Sequence, residues 1–210
     1  MVDRRGLADA ARSKLNFTRM TVTERSIILR HPERSVPDEF AAFMTTGFVA
    51  HVGFCMDGQP YVIPLAYHFS PAEPSRVYLH ASNQSRMAEV LASGTPIAVC
   101  VTQVDGLVYS RTAMNHSMNY RSAVCFGRGR EITDVETKRQ VFQAMTGRYF
   151  SGRTAGVHYE PATDAQLDTT TLVALEIEEG SAKTRRGGPN GPTDNDPTAA
   201  GTCGVVQRST

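Results

Sequence analysis

The chain has 210 residues, 40% of them hydrophobic and 20% charged, with a formal net charge of +1 at pH 7. That suits one domain with a sizeable core, and so small a charge gives no electrostatic case for nucleic acid or an anionic membrane, so any phosphate bound here must be met by a local group of basic residues. Cys55, Cys100, Cys125 and Cys203 form no Cys-x-x-Cys pair, which argues against a zinc knuckle or redox dithiol; three lie in apolar runs, and free core thiols in a reducing cytoplasm are expected.

Residues 1–34 are polar and arginine-rich with no clear period, and are expected as an arm laid over the surface or as disorder. The first stretch, "MVDRRGLADAARSKLNF", lacks the apolar core of a signal peptide, and Asp3 and Asp9 argue against a transit peptide. No run elsewhere approaches the ~20 apolar residues of a membrane span. "SVPDEFAAFMTTG" predicts a helix. Ser35 can cap it, Pro37 suits its first turn, Asp38 and Glu39 favour the positive end of its dipole, Gly47 ends it, and Phe40, Phe43 and Met44 form its buried stripe.

Strands then dominate. "GFVAHVGFCM" and "PYVIPLAYHF" flank Asp57-Gly58, the strongest short-range hairpin signal. Pro64 removes a backbone donor, so its strand should lie at an edge or leave the ladder there, exposing main chain to a ligand. "RVYLHAS" predicts a third strand, followed by a short helix in "NQSRMAEVLASG", capped by Ser82 or Asn83, with Met87, Val90 and Leu91 on one face and Gly94 at its end. "PIAVCVTQ" and "LVYSR" flank a second predicted hairpin turn at Asp105-Gly106. A longer strand runs from about Asn119 to Ile132, where Gly127 and Gly129 suggest a bulge or bend. Helix resumes in "DVETKRQVFQAMTGRYF", capped by Asp134, with Val141, Phe142 and Met145 aligned. A loop over 151–170 leads to the strand "TLVALEIEE"; beyond Gly180 the composition shifts, residues 184–202 are expected as an extended tail, and "CGVV" can dock it. About seven strands with three or four helices point to an antiparallel barrel with peripheral helices, mainly β in an α+β chain.

Catalytic signatures are missing: the chain has no G-x-S-x-G elbow, no H-E-x-x-H and no Walker loop, and "GRGR" at 127–130 lacks the third glycine and the helix of a dinucleotide fingerprint. The six histidines (31, 51, 68, 80, 116, 158) show no metal-ligand spacing. Two stretches carry chemistry. In "VYLHASNQSRMAEVL" a strand ends at His80, and Ser82, Asn83, Gln84 and Ser85 lead into a helix whose first turn carries Arg86. Free backbone N–H groups, the positive dipole end and a bidentate guanidinium there suit a phosphate monoester; a capped surface helix with a solvated arginine is the alternative. In "MNHSMNYRSAVCFGRGREI", His116, Ser117, Asn119, Tyr120 and Arg121 can all hydrogen-bond a small ligand before the run turns apolar, as one wall of a flavin site would.

Together, "HVGFCMDGQPYVIPLAYHF", "VYLHASNQSRM", "DGLVYSRTAMNHSMNYRSAVCFGRGREITD" and "EIEEGSAKTR" resemble the pyridoxamine 5'-phosphate oxidase-like superfamily of flavoproteins, in particular its nitroimidazole reductase-related, flavin-nucleotide-binding branch. The resemblance covers about Arg25 to Arg185. It implies a split β-barrel of Greek-key type over 35–183, between an N-terminal arm (1–34) and a C-terminal tail (184–210), forming a homodimer with FMN in the clefts between subunits. By the same resemblance Val62, Ile63 and Pro64 present backbone to the flavin ring; Tyr78, Leu79, His80, Ala81 and Ser82 line the strand beside it; and Ser85 and Arg86 hold the phosphate. Asn119, Tyr120, Arg121 and Ser122 lie near the flavin or at the dimer contact, and Lys183 approaches from the last block. His80 is either the substrate or proton contact or a strand-end histidine bonded to backbone. The implied function is an FMN-dependent oxidoreductase acting on a small, possibly nitro-aromatic, substrate with NAD(P)H as donor. The alternatives are a non-catalytic flavin store or sensor, or a split barrel holding haem or a deazaflavin.

Overall fold

A computed structural model describes residues 21–208; the first twenty residues of the expected arm lie outside them. The helix α1 spans Phe40–Thr46 and buries Phe40, Phe43 and Met44 as expected. Ser35 does not cap it. Its backbone bridges to Lys183 while the Val36 N–H donates to the Ala182 carbonyl, so the segment is held as a sheet fringe and a 3-10 turn at Pro37–Glu39 leads into the helix.

Strands β1 (Ala50–Met56) and β2 (Gln59–Leu65) form the first hairpin, with Asp57 and Gly58 both at positive φ (52° and 76°), the geometry that an Asp-Gly turn supplies. The run expected as one strand breaks at Ala66, and Tyr67–His68 form the short β3. β4 is Arg76–Ser82 and the helix α2 is Arg86–Ala92. The cap of α2 is Ser85, not Ser82 or Asn83: its Oγ accepts from the Ala88 N–H at 3.2 Å. β5 runs unbroken through Pro96–Tyr109. Asp105-Gly106 is therefore not a hairpin turn but a bulge, across which the register with β6 (Ser117–Ile132) shifts. The turn was misplaced because Gly106 serves another close approach: a Cβ there would lie 2.9 Å from the Val206 carbonyl oxygen of the strand on its other side.

The helix α3 (Val135–Tyr149) is capped by Asp134, whose carboxylate accepts from the Thr137 N–H at 2.8 Å. The expected loop over 151–170 contains a one-turn helix, α4 (Asp164–Asp168), closed by a capping box between Thr163 and Gln166. β7 (Thr170–Arg185) is longer than predicted and runs into the residues assigned to the tail; β8 (Gly204–Gln207) docks antiparallel on β5.

All these strands form one antiparallel sheet in the order β2-β1-β5-β6-β7-β4-β3, with β8 added to β5. Its two end strands, β2 and β3, are separated in sequence by Ala66 alone. The sheet therefore curls until its ends meet at one corner, and the result is a mainly β split barrel with few helices. Pro64 sits on the edge strand β2, where its missing donor costs no ladder bond.

Alternation along the strands fills the barrel with Val52, Leu79, Val99, Val101, Val173 and Leu175, and α1 and α2 close it with Phe43, Met44, Met87 and Leu91. Each fully buried side chain of this size contributes roughly 1.5–3 kcal/mol. A second cluster, Tyr78, Val141, Met145, Leu172 and Ala174, packs α3 on the outside of β4 and β7. All four cysteines are free, yet only Cys125 is a buried core thiol; Cys55 is exposed and Cys100 and Cys203 are half-buried. Burial in the barrel pushes the Cys125 thiol up to about 12. Among the described residues no helix is long and apolar enough to cross a membrane.

Candidate functional site

The outer face of the barrel carries a shallow trough. Residues opposite one another in an antiparallel sheet share a face, and one such row crosses five strands: Val62, Gly53, Ala98, Phe126 and Glu179. The middle positions, Gly53 and Ala98, are small, whereas Val62 and Phe126 flank them, so the row is low at its centre. The cleft over it measures about 530 Å³ and is also lined by Phe54, Pro60, Tyr61 and Pro96, with the Arg25 guanidinium over the Phe126 ring at 5.0 Å and paired with Glu179. Val62 is 69% exposed, a large apolar side chain left in solvent on an edge strand.

Arg86 stands on the first turn of α2, outside the lining of this cleft and on the interior side of β2. Its guanidinium carbon lies 4.7 Å from the Tyr61 ring centroid, and Tyr61 in turn stacks on Phe54 at 5.3 Å. Among the described residues Arg86 has no carboxylate partner within 4.0 Å. Ser85 is less free: its hydroxyl donates to the Ser82 carbonyl at 2.7 Å while it caps α2. Asn83 is bonded to Asp168 and Thr171. Ser82 is exposed at the end of β4.

The other residues singled out from the sequence divide by face. On β2, Val62 and Pro64 point outward and Ile63 packs against the core. On β4, Leu79 and Ala81 face the barrel interior, whereas Tyr78 and His80 lie on the opposite face beneath α3. The five residues Tyr78 to Ser82 thus do not form one lining. The Tyr78 hydroxyl donates to Glu73, and the His80 ring meets Phe142 edge-on at 5.3 Å. His68 stands opposite Tyr78 on β3 and shares this outer face. The Nδ1 atoms of both His68 and His80 are buried without a hydrogen-bond partner. Burial pushes both imidazoles below their ordinary value, with Arg148 adding to the effect on His68, so both are neutral.

At the far end of β6, Asn119 is buried, accepting from Arg185 at 2.6 Å and donating to the Gly187 carbonyl. Arg121 forks onto Asp105 of the β5 bulge, its closest contact 2.6 Å. The Tyr120 carbonyl accepts from Thr184, Ser122 reaches the Lys183 carbonyl at 3.4 Å, and the Lys183 ammonium donates to the Arg30 carbonyl. Strands β1 and β5 separate this group from β2, a span of about 14 Å at the usual strand spacing. One chain therefore does not gather the predicted site: of its residues only Val62 lines the trough, Arg86 lies over Tyr61 on the interior side of β2, and Tyr120, Ser122 and Lys183 stand on β6 and β7, further along those strands than Phe126 and Glu179. Sequence reasoning missed His68, which the β3–β4 pairing sets opposite Tyr78 and on the same face as His80.

Residues 37–184 match the family model described as Pyridoxamine 5'-phosphate oxidase. The chain belongs to this family. Among solved structures, it is similar to the FAD and heme binding protein from Mycobacterium smegmatis, with 32% identity, a TM-score of 0.73, and 83% of each chain covered. It is likewise similar to the flavocytochrome Anf3 from Azotobacter vinelandii, at 26% identity and a TM-score of 0.78 over 90% of this chain and 86% of that one. A candidate 5-nitroimidazole antibiotic resistance protein from Bacteroides thetaiotaomicron shares the fold at 19% identity and a TM-score of 0.54, over 71% of this chain and 86% of that one. The comparison with curated proteins found no match.

Proposed function

We propose that this protein binds a flavin nucleotide in the trough, with the phosphate at the entrance of α2 and the ring on the row from Val62 to Phe126. The observation that carries this is Arg86: a guanidinium with no carboxylate partner among the described residues, laid over the Tyr61 ring at the edge strand whose outward Val62 borders the apolar cleft. Family membership supports it, as do the M. smegmatis and A. vinelandii structures, which are described as a FAD and heme binding protein and a flavocytochrome. The first of these favours FAD alongside the FMN expected from sequence. A bound flavin supplies hydride or electron transfer. The residues of this chain would hold the phosphate through Arg86 and the α2 N–H groups, keep water off one ring face through Val62 and Phe126, and leave Pro64 backbone unpaired at the sheet edge.

Because Tyr120, Ser122 and Lys183 lie across the barrel from Arg86, they reach the same flavin only if two copies face each other, so the proposal includes a homodimer with the cofactor between subunits. Binding, rather than turnover, is what these residues support. The carboxylate in the row, Glu179, is tied up by Arg25 and Thr23, and His80, expected as the substrate contact, lies beneath α3 on β4, a strand the row does not cross.

A second reading is that the chain also holds haem, and one observation favours it. His68 and His80 are half-buried and lie on one face with buried, unpartnered Nδ1 atoms beside an apolar cluster, a state in which either imidazole could hold the iron of such a group. Purification without added cofactor, followed by an absorption spectrum and identification of the released ligand, tests both: flavin bands support the first reading, and an additional Soret band lost in His68→Ala or His80→Ala supports the second. Loss of neither band in those variants removes the histidine assignment, and a colourless protein that takes up neither flavin removes the first.

A further inference from the structure

We infer that the cleft between the residues before α1 and the end of β7 is a second anion site, built for the phosphate of a phosphorylated small molecule and separate from the flavin trough. This cleft measures about 680 Å³ and is polar, lined by Arg34, Arg185 and Arg186 with Glu33, Gly188 and Asn190. Arg185 is 7% exposed. Its guanidinium donates to Asn119 Oδ1 at 2.6 Å and to the carbonyls of Gly187 and Gly188 at 3.4 and 3.1 Å, and among the described residues it meets no carboxylate. Neutral acceptors engage its two terminal nitrogens but leave the Nε side of the fork without a partner among the described residues and the charge uncompensated, and a buried cation without a counter-charge is a costly arrangement. The neighbouring charge makes matters worse, since Arg34 is close enough to repel it.

Neither carboxylate at hand, Glu39 nor Glu33, is paired with Arg185. Glu39 is bound by both terminal nitrogens of Arg186, and Glu33 sits at the rim, 63% exposed, 3.0 Å from His31 and 3.8 Å from Arg34. Two guanidinium groups, one buried and one half-exposed, thus face a cleft with room for more than a water-sized anion. A carboxylate has two oxygens in one plane and fills a single arginine fork, whereas a tetrahedral phosphate dianion presents oxygens to two forks from different directions. The class of ligand is therefore a phosphate ester or diphosphate.

The test uses the full chain carrying Arg86→Ala, so that phosphate binding at α2 does not contribute, and measures pyrophosphate, ADP, inorganic phosphate and citrate by titration calorimetry at low ionic strength. One pyrophosphate or ADP per chain is expected, with citrate weaker. Adding Arg34→Gln should weaken binding roughly tenfold or more, the loss of one charge-assisted pair, and salt should weaken it further. Arg34 touches neither the trough nor the fold's core, so that variant stays informative if Arg185→Gln fails to fold. ADP binding tighter than pyrophosphate assigns a nucleotide; equal affinity assigns the diphosphate alone. No binding, binding indifferent to Arg34→Gln, or citrate equal to pyrophosphate overturns the proposal. Flavin content of Arg34→Gln in the otherwise native chain reports separately on the trough and is expected to be unchanged.

Discussion

Gly129 ties the barrel to the proposed phosphate grip, and replacing it tests that link. A Cβ at this position on β6 would sit well inside van der Waals contact of the Leu91 carbonyl oxygen and 2.7 Å from Val173 Cγ1. The first obstacle is backbone in the last turn of α2, so no side-chain rotation relieves it; the helix must lift. Lifting α2 loosens Met87, Val90 and Leu91 from the core. Overpacking of this kind costs about 3 kcal/mol, which for a chain of this length lowers Tm by about 6–12 °C. The same shift moves Arg86, so Gly129→Ala should also purify with less flavin. The control is Gly147→Ala, inside α3 with nothing near the new methyl; it should be neutral or stabilising by about 0.5–1 kcal/mol. Urea unfolding of the three proteins, comparing midpoints at constant m, measures the difference. A cost below about 0.5 kcal/mol for Gly129→Ala would show that α2 does not press on β6 as described.

Arg86→Ala should lower flavin affinity about 10- to 100-fold, with Arg86→Lys intermediate because it keeps the charge and loses the fork; equilibrium dialysis reads both. Unchanged affinity would remove Arg86 from the phosphate. Arg148→Met should cost about 2–4 kcal/mol in urea unfolding, because this guanidinium donates to the carbonyls of Tyr67, Met44, Thr45 and Gly47 and stacks on the rings of Tyr67 and Tyr149, joining α3 to α1 and β3. Stability should fall as pH drops below about 6.5, since burial holds His68 and His80 below that ordinary value and the unfolded chain takes up protons that the folded chain refuses. The dependence should vanish well above that pH, and His80→Gln should reduce its slope; an unaltered slope would mean that His80 is not the group responsible.

Much of this architecture was legible because local chemistry and tertiary structure agree. Asp57-Gly58 makes the turn its φ preference dictates, Phe40, Phe43 and Met44 fall on one helical face, and Pro64 finds an edge strand. Where they diverge, contacts distant in sequence decided the outcome. The same dipeptide at 105–106 became a bulge because Arg121 fixes its carboxylate and β8 closes on Gly106, neither of which local sequence reveals. Ser35 lost its capping role to pairing with β7. The site was legible as a set of residue types but not as a geometry. Periodicity places Val62 outward and Ile63 inward, yet it does not tell which strands α3 covers, and that covering, with the position of β4 in the sheet, separates His80 from the trough. The placing of His68 on the same face as His80 and the gathering of Arg34 with Arg185 both depend on neighbours brought together only by the closed sheet.

The central claim is that the trough beside Arg86 holds a flavin. The direct measurement is the absorption spectrum of the protein as purified, followed by denaturation and chromatographic identification of whatever is released. A yellow protein releasing FAD or FMN, with colour lost in Arg86→Ala, is the result predicted. A colourless protein that binds neither nucleotide when titrated with it would contradict the account.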